Sequence, residues 1–274
     1  MNRFVVPAAA AAVCIFAFSA FAGGLGKSAI TPTQSAIGPG GPSVSSGQAA
    51  AAVISQAPGA AAVPAVFDPA HAAVPDDARV MMVLEGGRSE DHGTLSVYTR
   101  DADANGALTS WTRVLETNAM YGKNGLYKEV EGDCKTPVGI FRMNTPFGIS
   151  PKQEGFPDNY IQVDDRYYWN GDSDSPMYNR FVRSDIFTEF RKESSEHLID
   201  YGGYYNYCID SGYNPDGIPR KGSAIFLHCS VNGENTHGCI AIPEESMVSA
   251  MKLYREGRSW MVIYDRENAG AVLR

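Results

Sequence analysis

The chain has 274 residues, 44% of them hydrophobic and 11% aromatic, which is enough to bury a core in one large domain or two small ones. Its formal net charge of -8 comes without any cluster of Lys and Arg to neutralise phosphate, so neither a nucleic-acid partner nor a polybasic membrane attachment is expected.

Residues 1-22, "MNRFVVPAAAAAVCIFAFSAFA", carry Arg3 near the start, then an uncharged apolar run, then the small-x-small triplet Ala20-Phe21-Ala22. That order predicts an export signal cleaved after Ala22, and so a protein working in the periplasm or extracellular cell wall with no integral membrane span after processing. A retained membrane anchor is the alternative; Pro7 interrupts the run and no charged stop follows it. Residues 23-78 change to Ala, Gly, Pro and Ser, where no periodic apolar face can be drawn and the prolines and glycines break any helix the alanines start. This stretch reads as a low-complexity tether, with His71 solvated at its end. The folded domain is expected over 79-266, and 267-274 as a C-terminal tail.

Within that domain short β-type runs recur between turn signals: "RVMMVLEG", "TLSVYTR", "SWTRVLETN", "GIFRMN", "YIQV", "YNYCID", "SAIFLHC" and "SWMVIYD". The fold class is therefore mainly β. One helix is predicted after Pro243, with Glu244 and Glu245 in its first turn, Met247, Met251 and Tyr254 on one face, and Gly257 as a stop. A second helix is read within "DIFTEFRKESSEHLID", residues 185-200.

The chemistry concentrates in "FLHCSVNGENTHGCIAIP", residues 226-243. His228 ends an apolar run and so emerges where a buried strand reaches the surface. Cys239 follows eleven positions later, after a polar loop that can fold back beside it. A thiol next to an imidazole is the usual route to a thiolate near neutral pH, which suits acyl transfer through a thioester. Gly238 frees the backbone beside the nucleophile, so amides there can point at a developing oxyanion. Three other readings compete. Zinc has plausible ligands in His228, Cys229, His237 and Cys239, but adjacent strand residues face opposite ways and no C-x-x-C knuckle supports a site. A disulfide network among Cys134, Cys208, Cys229 and Cys239 suits an oxidising compartment, and a Cys134 to Cys208 bridge would leave Cys239 free. In the third reading the histidines merely satisfy backbone groups.

Thr236-His237-Gly238-Cys239-Ile240, preceded by a strand ending in His228, resembles the signature of the L,D-transpeptidase (YkuD-like) catalytic domain family. A second likeness lies upstream in "EGDCKTPVGIF", residues 131-141, where Thr136, Pro137, Gly139 and Phe141 match the family's T-P-x-G-x-F element. "YWNGDSDSPMYNR" also looks like a family segment, ending in Tyr178 and Asn179. The resemblance implies a β-sandwich with one or two short helices. It also implies attack by Cys239 on a peptidoglycan stem peptide, His228 as general base, His237 in support, and the amides of Gly238 and Cys239 around the oxyanion. A backbone oxygen at or beside Cys229 would orient His228, with no metal or cofactor. Thr236, Cys229, Tyr178 and Asn179 are assigned to substrate binding on the same ground. Crosslinking of third stem residues is the implied reaction; L,D-carboxypeptidase action at the same site and a non-catalytic cell-wall-binding module are the alternatives. The sequence departs from the family in three places: a short loop between His228 and Cys239, Ala241 where many members carry Arg or Asn, and Cys229 after the base.

Other residues read as structural. Trp111, Trp169 and Trp260 suit packing better than sugar stacking, although Asp172, in "YYWNGD", looks exposed enough to line a glycan groove. His92 and His197 read as surface residues, and Glu244-Glu245 as a first helical turn. Oligomeric state is not legible.

Overall fold

In the computed structural model, which describes residues 67-273, the apolar runs become strands. The predicted signal segment 1-22 and the tether up to residue 66 lie outside the described residues. In chain order the elements are β1 (Val80–Gly86), β2 (His92–Thr99), β3 (Thr112–Met120), β4 (Gly139–Arg142), β5 (Pro146–Gly148), β6 (Ile161–Gln162), β7 (Tyr167–Asn170), β8 (Arg180–Arg183), β9 (Glu196–His197), β10 (Cys208–Asp210), β11 (Phe226–Cys229), β12 (Ile240–Ile242), the helix α1 (Glu244–Leu253) and β13 (Ser259–Asp265). Among the described residues strand accounts for 33% and helix, 3-10 turns included, for 13%, which bears out the mainly β class. No helix among the described residues is long and apolar enough to cross a membrane.

Ten strands form one sheet in the order β4-β13-β1-β2-β3-β12-β11-β10-β5-β6, and β8-β7-β9 form a second. The large sheet divides its side chains between two cores. Val80, Met82 and Leu84 of β1 join Leu227, Ile240 and Ile242 on one face, where α1 adds Met247, Ala250 and Met251, all fully buried. Each such methionine removed from water contributes about 1.5–3 kcal/mol, so one helical stripe suffices to hold α1 in place. Met81, Val83, Val262 and Tyr264 face the other way and are covered by Ala72, Val74, Ala78 and Val272. Residues on both sides of the expected domain, within 67-78 and 267-273, are thus packed on this outer face, and Ala72 bridges to Leu273.

The smaller sheet closes over the far end of the large one. Trp169 of β7 lies 4.7 Å from Phe226, edge to face, and Phe147 and Tyr205 fill the same cluster. The expected α-helix over 185-200 is not formed. Lys192–Ser194 make a single 3-10 turn, β9 pairs with β7, and a kinked 3-10 stretch covers Leu198–Tyr205. Local bonding explains it: the Ser195 hydroxyl donates to Arg191 O, and β9 takes its hydrogen bonds from β7. Asp172 is likewise not an exposed groove residue; it is buried and accepts from the Arg191 backbone N–H and guanidinium Nε, both at 3.0 Å.

Candidate active site

Strand alternation along β11 sorts the key residues. Phe226 and His228 point to the small-sheet side, whereas Leu227 and Cys229 point into the main core. The parallel pairing of Leu227 with Ile240 and His228 with Ala241 puts Cys239, one residue before β12, on the same face as His228. They are diagonal neighbours on adjacent strands, a relation that spans roughly 7–8 Å between Cα atoms. Both are nearly sealed from solvent, His228 at 5% and Cys239 at 9% exposure. The residues covering them come from the 3-10 stretch: Tyr205 meets the His228 ring edge-on at 5.5 Å, and Tyr204 at 6.3 Å.

His228 Nδ1 lies 2.8 Å from the carbonyl oxygen of Cys229. A carbonyl only accepts, so Nδ1 carries the proton and Nε2 keeps its lone pair. Burial lowers the His228 pKa to about 4, against the opposing effect of that hydrogen bond, so the ring is neutral at pH 7. The Cys239 thiol donates to Ala224 O at 3.1 Å and accepts from Phe226 N–H at 3.3 Å. Burial, reinforced by the carboxylate of Glu196, pushes this thiol up to about 12; the Phe226 N–H and Lys128 pull weakly the other way. The resting arrangement is therefore a neutral thiol beside a neutral imidazole, with the thiol proton held by Ala224 rather than His228. Deprotonation belongs to the reaction, not to the resting protein.

Contacts from far upstream set the backbone around Cys239. Four donors, from the Lys128 side chain and the Glu129, Val130 and Lys135 backbone, converge on Asp133 and hold its carboxyl below the usual range although burial opposes this. The turn so formed delivers Thr136, fully buried, whose hydroxyl donates to Gly238 O at 2.8 Å and accepts from Gly122 N–H. Gly238 has φ +139°, and a Cβ there would sit 2.8 Å from Lys135 O, so no other residue fits. Thr236 accepts from Gly238 N–H at 3.0 Å and donates to Cys239 O at 2.7 Å. Of the two amides expected around an oxyanion, Gly238 N–H is thus already engaged, and Cys239 N–H has no protein partner among the described residues.

The L,D-transpeptidase catalytic domain (YkuD) family model matches residues 94-263, which include the nucleophile loop and the Thr136 turn. The chain belongs to this family. Its members are cysteine-dependent cell-wall transferases and peptidases. No curated protein matches the chain. Among solved structures it is similar to the helical cell shape determining protein Pgp2 from Campylobacter jejuni, with 16% identity and a TM-score of 0.40 over 71% of this chain and 50% of that one. It is also similar to Bd1075 of Bdellovibrio bacteriovorus, with 14% identity and a TM-score of 0.37 over 73% and 55%. The chain spans about half the length of these structures.

The other family motif positions fall into distinct places. His237 lies at the surface, 3.3 Å from the Lys123 ammonium, and partial desolvation of its ring together with that charge lowers its pKa. Cys229 faces away from Cys239 and donates to Tyr207 O in the main core. Tyr178 and Asn179 are buried beneath the site rather than open to it. Tyr178 donates to Glu131, and the Asn179 side chain binds Trp169 Nε1, Ala224 N–H and the carbonyls of Tyr213 and Asn214. Asn179 thereby holds Ala224, the thiol's acceptor, at φ +54°. Cys134, Cys208, Cys229 and Cys239 are all free, so the disulfide network weighed from the cysteine count is not formed. Two residues of this YkuD site have no motif signal. Ala224 acts only through its carbonyl, and Glu196 lies on a two-residue strand too short for alternation to reveal.

A neutral resting pair has a kinetic signature. Iodoacetamide labelling of Cys239 in the free protein is expected to climb about tenfold per pH unit from about pH 7 to 10, because the thiolate fraction grows by that factor below a pKa near 12. Mass mapping of the peptide containing Cys239 measures it. Levelling above about pH 6 would reveal a standing thiolate–imidazolium pair instead.

Proposed function

We propose that this chain is a peptidoglycan L,D-transpeptidase acting through a Cys239 thioester on tetrapeptide stems outside the cytoplasm. One observation carries the reading: on the sheet face that holds Cys239, His228 presents an unprotonated Nε2, fixed by the Nδ1 hydrogen bond to Cys229 O.

The steps follow from that placement. As Sγ adds to the carbonyl between the L-centre of the third residue and the D-alanine, His228 Nε2 takes the thiol proton. Cys239 N–H is the donor available to the oxyanion. Collapse breaks the C–N bond, and His228 returns the proton to the departing D-alanine nitrogen, leaving the thioester. An amine of a neighbouring stem then adds, gives its proton to Nε2 and expels the sulfur, which recovers the proton. Water in place of the amine yields a tripeptide.

Incubation of the protein with defined disaccharide tetrapeptides, followed by mass analysis of the products, tests the proposal. A dimer joined through third residues is the expected product. Tripeptide alone would assign the site to carboxypeptidase action, and unchanged tetrapeptide would make the domain a binding module.

A further inference from the structure

We propose that the crevice on the outer face of β1, β2, β3 and β13 is a saccharide site, and that it holds the glycan strand beside the sugar whose stem enters the reaction. The identity of the strand rests on the transpeptidase reading; the site itself rests on the sheet.

Strand alternation builds the floor. Leu95 and Val97 of β2 face the α1 core, so Thr94, Ser96 and Tyr98 face outward. Register sets Glu85 of β1 between Thr94 and Tyr264 of β13. On β3 the same alternation would aim Arg113 and Glu116 to opposite sides. A β-bulge prevents this: Ser96 pairs with Glu116 and Val97 with Leu115, but Tyr98 pairs with Arg113, and both charged side chains line the crevice. Phe67 closes one side, stacked on Tyr264 at 5.2 Å and tilted against Tyr98 at 6.2 Å. The space enclosed is about 330 Å³, within the range of small-molecule sites, roughly 300–1,000 Å³.

The polar groups of the crevice are held in place, and their charges are answered. Glu116 accepts from Arg113 and, at 3.4 Å, from the Ser96 hydroxyl. Glu85 accepts from Tyr264 OH and lies 4.0 Å from Arg266 Nε. Carboxylates that already have their cations do not call for an ion. They keep further lone pairs, the guanidinium keeps further N–H groups, and the half-buried rings of Phe67 and Tyr98 stand beside them. Such a lining matches a neutral ring with hydroxyl and acetamido groups on its edge and C–H groups on its faces. The run that precedes Phe67, "AAAVPAV", has no side-chain hydroxyl, amide or cation to offer and is the poorer occupant.

Position ties the crevice to the nucleophile. Glu116, Asn118 and Met120 share one face of β3, and Met120 pairs with Ala241, the strand neighbour of His228. Four residues of β3 separate Glu116 from Met120, and the antiparallel β12 carries Cys239 two further on, so the nucleophile lies about 20 Å from Glu116 along that face. Asn118 and its neighbour His92 are exposed along the way. Three stem residues reach roughly 10–11 Å, and the γ-linked second residue and the lactyl ether lengthen that span. The stem-bearing sugar therefore stops short of the crevice, and the next sugar along the strand arrives there.

Calorimetric binding of glycan strands stripped of their stems by an amidase, measured with the full chain, tests the site. The wild type should bind them, and Glu116→Ala should weaken binding about 10- to 100-fold, the range of one hydrogen bond to a charged group. Arg113→Ala is the second variant and should weaken it as well. Both side chains are about half exposed, so neither change should disturb the fold, which the melting temperature checks. Absence of binding, or equal binding by the wild type, E116A and R113A, overturns the proposal. Stripped strands contain no scissile bond, so this result stands whatever reaction the chain performs. The link to the reaction is read from KM for D-alanine release. A strand-borne tetrapeptide should show a KM about tenfold or more below that of the free tetrapeptide, an advantage lost in E116A. Equal KM values in the wild type would overturn the placement of the strand beside the reacting stem. No release from either donor would end the transpeptidase reading and leave the saccharide site to the binding result alone.

Discussion

Cys239→Ala is expected to lower D-alanine release and crosslinking by on the order of 10⁴-fold or more, the usual scale when a covalent nucleophile is removed. The wild-type protein should gain the mass of one carbapenem on Cys239, and the variant none. The resting hydrogen bonds say which control to add. Sγ bridges Ala224 O and Phe226 N–H, so alanine leaves two buried backbone groups without that partner, at a cost of about 1–3 kcal/mol. Cys239→Ser supplies a hydroxyl to both and should fold like the wild type while remaining inactive. An adduct that persists in either variant, or turnover within tenfold of wild type, would remove Cys239 from the reaction.

His228→Gln is expected to cost roughly 10²- to 10⁴-fold in kcat/KM, the contribution of a positioned general base. The thiol does not lean on His228 at rest, so its pKa near 12 should hold in the variant and iodoacetamide labelling should change little. Turnover and labelling part company only for a residue that acts during the reaction. The acid limb carries the same information in the wild type. A base must be neutral to accept a proton, and burial holds His228 at about 4, so kcat/KM should stay level as pH falls through 6 and decline only on approaching that value. A decline centred near the ordinary imidazole value of about 6.5 would mean that the working histidine is solvated.

Much of the fold was legible from local pattern. Each of the eight β-type runs contains a strand, and Met247, Met251 and Tyr254 do line the buried side of α1 and its cap. Short strands escaped detection: Pro146–Gly148, Glu196–His197 and Ile240–Ile242 offer too few residues for a period to show. A helix is expected within residues 185-200 from the sequence. Backbone pairing with β7 and the Ser195 bond to Arg191 prevailed there.

The sequence by itself determined the nucleophile loop, the strand that carries His228 and the order of the two family motifs, since each is written in a contiguous stretch whose chemistry is local; that the strand runs on through Cys229 and buries His228 was not legible. Only the tertiary structure decided that Thr136 grips Gly238 from 102 positions away, that Asn179 lies beneath the site, and that the thiol rests on Ala224. It also decided the charge around the pair. Burial sets the pKa values of both Cys239 and His228, and Glu196 adds to the shift at Cys239; both effects depend on which distant segments come to enclose the pair.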